Sequence, residues 1–157
     1  MVLRCAKKTD LERLGELAGG LVRFHNSADS RRFMLVDGVE QGYARWFERE
    51  LNRAEAVILV AEVDGRVQGY AYGTKEGRDW NMLLDEHGAI HDVFISPDVR
   101  QRGMGTELMR ALVEALTELG CPRIVLSTMV DNEKAQRVFR SLGFRPTMLE
   151  MTRDADS

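Results

Sequence analysis

The sequence predicts one mixed α/β domain, a sheet with helices on both faces. Two observations carry this. Read in order, the elements run β-α-α-β-β-β-α-β-α-β, and helices that separate strands late in a chain cover both faces of a mixed sheet. At 157 residues the chain suits a single domain, here spanning 1–157, with a sizeable core.

Val2 to Ala6 reads as a first strand. Thr9-Asp10-Leu11-Glu12 has the form of a capping box, Thr9 at the cap and Glu12 reaching back. The helix it opens places Leu11, Leu14, Ala18, Leu21 and Val22 on one face, weakened by Gly15, Gly19 and Gly20. Asn26 to Gly38 is polar and reads as irregular. Glu40 to Arg53 repeats Tyr43, Trp46, Phe47 and Leu51 at helical spacing, an aromatic stripe suited to a core. Ala56 to Val63 is an apolar, β-branched run. Asp64-Gly65 signals a hairpin turn, and Val67 to Thr74 returns as the partner strand. Lys75 to Gly88 is a polar loop, and Ala89 to Ile95 is a strand stopped by Pro97. From Thr106 to Leu119, Leu108, Leu112, Leu116 and Leu119 form one stripe, ended by Gly120-Cys121-Pro122. Arg123 to Met129 reads as a strand, Asp131 or Asn132 to Leu142 as a short helix, and Phe144 to Thr152 as a last strand.

Composition narrows the function. Hydrophobic residues at 44% and charged residues at 30% are ordinary for a globular protein. A net charge of −3 argues against a nucleic-acid surface. No run approaches transmembrane length and no signal peptide is evident, so no membrane partner and a cytoplasmic location are expected. Cys5 and Cys121 make no disulfide framework, and His25, His87 and His91 lack ligand spacing, so no metal is expected.

The chemistry concentrates at Arg100-Gln101-Arg102-Gly103-Met104-Gly105, between a strand and a helix. The first N–H groups of a helix lack intrahelical partners and carry the positive end of its dipole, so they hold phosphate. Gly103 and Gly105 allow close backbone approach, and Arg100 and Arg102 add pairing charge. Neither a Walker loop nor a dinucleotide fingerprint fits: the third Gly of the latter would fall at Leu108. The pattern Arg/Gln-x-x-Gly-x-Gly does fit. Downstream, Asn132-Glu133-Lys134-Ala135-Gln136-Arg137-Val138-Phe139 leads to Gly143-Phe144. With these two motifs in this order, the chain resembles the GNAT superfamily of acyl-CoA-dependent N-acetyltransferases across Ile90 to Phe144.

The resemblance implies a twisted, mostly antiparallel sheet of six to seven strands whose central strands splay to admit acetyl-CoA. It implies a cofactor site from Arg100 to Thr106, including Gln101 and Met104, that holds the pyrophosphate. The backbone of Val93, Phe94 and Ile95 would hold the pantetheine arm and the oxyanion. Asn132 would contact coenzyme A or simply cap its helix. Phe139 stands where relatives often carry a Tyr, so the thiolate would leave unassisted or protonated by water, tolerable for a thiol of pKa about 8.5. Residues 1–88 would shape the acceptor site and 89–152 would bind acetyl-CoA.

The reaction implied is attack of a neutral amine of a small molecule or peptide on the thioester, which needs a proton acceptor and an oxyanion donor. His91 and Asp92 are the candidate catalytic pair; on a regular strand their side chains would oppose each other, and only a bulge would join them. Asp79, Asp85 and Glu86 would attract a cationic acceptor. Many such proteins are dimers, which apolar strand edges would favour here. The alternative is a non-catalytic acyl-CoA-binding or sensing module.

Overall fold

A computed structural model describes residues 1–99 and 103–156. Arg100, Gln101 and Arg102 of the expected phosphate loop lie outside the described residues. Five strands form one sheet in sequential order: β1 (Val2–Cys5), β2 (Ala56–Val63), β3 (Arg66–Glu76), β4 (His87–Ile95) and β5 (Ile124–Leu126). The first three pairings are antiparallel, and β4 pairs β5 in parallel. The parallel pair requires a crossover, supplied by helix α3 (Met104–Glu118).

Helices cover both faces, as the element order predicts. On one face, α3 lays Met104, Leu108, Leu112 and Leu116 against Leu59, Ala61, Ala71 and Ile90. On the other, α1 (Leu11–Ala28) and α2 (Val39–Glu50) pack Leu14, Leu17, Ala18 and Phe47 against Ile58, Val60, Tyr70 and Tyr72. Helix α4 (Glu133–Ser141) follows β5, with Phe139 and Leu142 against the α3-side cluster. No helix among the described residues is long and apolar enough to cross a membrane.

The glycines that weaken α1 as an isolated helix are where it packs most closely. A Cβ on Gly15 would lie 2.4 Å from the Glu40 carbonyl oxygen, and one on Gly20 would lie 3.1 Å from the Phe94 ring. The helix trades propensity for close approach to α2 and β4.

Several expectations are corrected. The described residues hold five strands rather than six to seven: Phe144 to Thr152 joins no ladder. That stretch exposes Met148, Leu149 and Met151 and is tied to Arg32 by Glu150, while Asp154 and Asp156 beyond it pair with Arg31. The strand expected over 123–129 stops at Leu126, where the chain turns off and the Gln136 side-chain amide binds the carbonyls of Met129 and Val130. The cap before α1 is also different. Asp10, at the end of a 3₁₀ turn, accepts from the Lys7 N–H at 2.8 Å, and Arg4 holds the same carboxylate at 2.7 Å. Trp46 is 42% exposed, so the α2 stripe buries Phe47 and half-buries Tyr43 but leaves the indole outside.

Candidate active site

The site is built on an irregularity in β4. Across β3, Tyr72 faces Asp92 while the next residue, Gly73, faces Ile90. His91 is therefore the extra residue of a β-bulge. The consequence shows in the packing. Ile90 and Val93, three positions apart, both join the α3-side cluster, which a regular strand forbids. His91 and Asp92 instead turn side by side toward α1 and α2: His91 reaches Tyr72 and Thr74, and Asp92 reaches Tyr70, all on one face of β3. The bulge that would unite the pair is present.

The two side chains differ in surroundings. His91 is exposed; its Nε2 lies 2.7 Å from the Thr74 hydroxyl, and its ring lies 5.0 Å from the Tyr72 ring. Asp92 keeps some exposure as a residue, but its carboxyl lies among side chains and accepts from the Tyr70 hydroxyl at 3.1 Å. Burial pushes that carboxyl above the usual range, opposed by the Tyr70 hydrogen bond and by attraction to His91 and His25. The Tyr70 hydroxyl is pushed well up by burial and by the Asp92 charge, so it stays protonated and donates.

A second polar group supports the first. Glu50 of α2 is 3% exposed, yet it accepts from the Tyr72 hydroxyl at 2.5 Å and from Arg53 at 2.9 Å. Phe47 meets Tyr70 and Tyr72 edge-on, with centroids 5.6 and 5.4 Å away. No buried side-chain N or O atom lacks a partner among the described residues, so this is a satisfied network.

The bulge also marks where the sheet opens. The β4–β5 ladder ends at Ile90↔Leu126, so β4 runs on from His91 to Ile95 paired with β3 alone among the described residues. Val93 and Ile95 point their side chains into the α3-side core, and Phe94 packs with the α1-side cluster. Gly103 has φ +91°, a left-handed conformation that favours glycine, and caps α3 beside the end of β4. A Cβ on Gly105 would lie 4.0 Å from Ile95, while Met104, 1% exposed, anchors the first turn in the core. Thr106 lies in that turn. A cavity of about 450 Å³ lies beside the end of β4, lined by Leu17, Gly20, Phe24 and Ser27 of α1 and by Phe94, Ser96 and Pro97.

Asn132 caps α4, its side chain accepting from the Ala135 N–H at 3.2 Å. Phe139 packs edge-on to Phe144, with centroids 6.3 Å apart. The acidic loop does not present free carboxylates: Asp85 is bound by Arg78, Glu86 lies 3.4 Å from Lys75, and Asp79 accepts from the amides of Asn81 and Met82.

The sequence profile of the Acetyltransferase (GNAT) family matches residues 23–144. The chain belongs to the GNAT acetyltransferase family. Solved structures of low identity share the fold. The BH1408 protein of Bacillus halodurans, solved as a tetramutant, superposes with a TM-score of 0.82 at 18% identity over 98% of this chain and 99% of that one. The aminoglycoside 6'-N-acetyltransferase AAC(6')-IG of Acinetobacter haemolyticus gives 0.74 at 19% over 98% and 97%. Aminoglycoside N-acetyltransferase AAC(6')-Iy, solved with CoA, gives 0.76 at 23% over 98% and 94%.

Thr74, Glu76, Glu50 and His25 stand out in no sequence motif of this GNAT protein, yet they surround His91, Asp92 and Tyr72. A signal for two of them was there: Tyr70, Tyr72, Thr74 and Glu76 alternate along one strand, so four polar-tipped side chains share one face.

Proposed function

We propose that this protein is an N-acetyltransferase that moves an acetyl group from acetyl-CoA to a primary amine of a small molecule. The observation that carries the reading is the bulge at His91, which sets His91 and Asp92 together where β4 leaves β5, directly ahead of the Gly103 cap. Residues 89–152 then hold acetyl-CoA: the α3 N-terminus, with Gly103, Met104, Gly105 and Thr106, takes the pyrophosphate with Arg100, Gln101 and Arg102. The backbone of Val93, Phe94 and Ile95 takes the pantetheine arm and gives the oxyanion its N–H donor. Asn132 and Phe139 line the thiol end from α4. Residues 1–88 shape the acceptor side, where Tyr70 binds Asp92 and where Tyr43 of α2 and His25 of α1 lie within reach of its charge. AAC(6')-Iy, also solved with the bisubstrate analogue CoA-S-monomethyl-acetylneamine, supports an amine acceptor in this fold.

In the reaction the ammonium of the acceptor first gives a proton to the His91–Asp92 pair. The neutral nitrogen attacks the thioester carbonyl and forms the C–N bond, and the C–S bond breaks. The amine loses two protons in all: one reaches solvent through exposed His91, and the other ends on the departing sulfur. Phe139 has no proton to give, so water carries that one from the nitrogen to the sulfur.

Thiol release from acetyl-CoA across aminoglycosides, polyamines, amino acids and short peptides tests this. Turnover with one amine class, lost in the double variant His91→Ala, Asp92→Ala while acetyl-CoA still binds, is the expected result. Acetyl-CoA binding without thiol release for any amine would replace the enzyme with an acyl-CoA-binding module.

A further inference from the structure

From the polar face of β3 we infer that Thr74 and Glu76 are positioning residues which hold His91 with its proton on Nε2, making Nδ1 the atom that accepts the amine proton. This deepens the acetyltransferase reading and rests on it.

The Thr74 hydroxyl lies 2.6 Å from Glu76 Oε1 and 2.7 Å from His91 Nε2. A carboxylate oxygen only accepts, so the single hydroxyl hydrogen goes to Glu76. The Thr74 oxygen is then the acceptor for His91, and Nε2 must be the N–H donor. A neutral imidazole with its proton on Nε2 has its lone pair on Nδ1. The ring is exposed, and no hydrogen bond to Nδ1 occurs among the described residues, so that nitrogen meets incoming substrate. Thr74 is 1% exposed, which fixes its hydroxyl where a surface threonine would rotate.

When Nδ1 takes the amine proton, the imidazolium keeps its Nε2–H bond to Thr74. Its charge faces the Glu76 carboxylate through one hydroxyl. The other ionisable groups around the ring are Asp92 on β4, Tyr72 on β3 with Glu50 and Arg53 of α2 behind its hydroxyl, and His25 of α1 beyond Asp92. The Nδ1 proton then passes to water, returning the ring to its starting tautomer. The bulge is what brings Nε2 to Thr74, since it turns His91 onto the same face as Tyr72 and Thr74.

The test pairs a spectroscopic readout with kinetics. In protein labelled with ¹⁵N at histidine, the His91 nitrogens above their titration should show a protonated Nε2 and a bare Nδ1. Thr74→Val, close in shape, should erase that preference and lower kcat about tenfold with the KM for acetyl-CoA unchanged. Thr74→Ser should restore both. Glu76→Gln, at a half-buried site that leaves the core intact, should weaken the preference, because the amide can donate to the Thr74 oxygen and free its hydroxyl hydrogen for Nε2. A bare Nε2 in the wild-type protein overturns the inference, as does wild-type kcat in Thr74→Val. Either result, with wild-type thiol release intact, leaves the acetyltransferase reading standing. Absence of thiol release for every amine removes that reading and the base role of Nδ1 together.

Discussion

The two faces of β4 are made from one strand and do opposite things. Toward α3, Ile90, Val93 and Ile95 enter an apolar core with Leu108, Leu112 and Leu116. Toward α1 and α2, the same strand sends out His91 and Asp92, which meet Tyr70, Tyr72 and Thr74, with Glu50 and Glu76 one bond further. A core of apolar side chains gains by burial alone and tolerates no wasted volume. A buried polar face gains little net, and it stands only while each group keeps its partner. One extra residue at the bulge separates the two roles, because it lets three apolar side chains keep the α3 face while two ionisable neighbours share the other.

The sharpest break of this contrast is on the α3 face. Leu112 is fully buried, and Leu112→Ala should destabilise the fold by about 2–5 kcal/mol in urea unfolding. The KM for acetyl-CoA should stay near wild type in the folded fraction. A loss under about 1 kcal/mol would show that this face is loosely packed.

Asp92→Asn sharpens the polar face by splitting stability from activity. The raised carboxyl binds its proton more tightly in the folded state, so wild-type stability is greatest below the unfolded carboxyl pKa and falls as pH rises through the folded value. Asparagine keeps the acceptor for Tyr70 and removes that loss. The variant should be more stable than wild type at pH 8, equal near pH 4, and slower in turnover by about tenfold. Thermal unfolding at the two pH values checks the sign, and equal gains at both would contradict it.

Tyr72→Phe removes the hydroxyl from buried Glu50 and leaves that carboxylate to Arg53. A loss of about 1–2 kcal/mol is expected by denaturant titration. Glu50→Leu in the same background should recover part of it, since the unsatisfied group is then gone.

The smallest effect compares two helical glycines. Gly42→Ala, with nothing within 4 Å of the new Cβ, should stabilise α2 by about 0.5–1 kcal/mol. Gly15→Ala, against the Glu40 carbonyl, should destabilise instead. If both variants gained stability, the close approach of α1 to α2 would be wrong.

Local periodicity foretold most of the fold. The apolar, β-branched run of Ala56 to Val63 specifies a strand, the leucine stripe of α3 specifies a helix and its buried face, and the Asp64-Gly65 turn pairs two neighbouring strands. Phe144 to Thr152 shows the limit: β-compatible residues become a strand only by pairing, and this segment joins no ladder, its Glu150 held by Arg32 instead.

The sequence by itself determined the family, the order of elements up to α4 and the candidacy of His91 and Asp92, because each is written in consecutive residues. Tertiary structure alone decided that the two side chains share a face, that Thr74 rather than Asp92 binds the His91 ring, and that Glu50 lies beneath Tyr72. A bulge is a mismatch between two strands, and a hydrogen bond across a sheet depends on register. Neither can be read from one stretch of chain, since both are properties of the pairing.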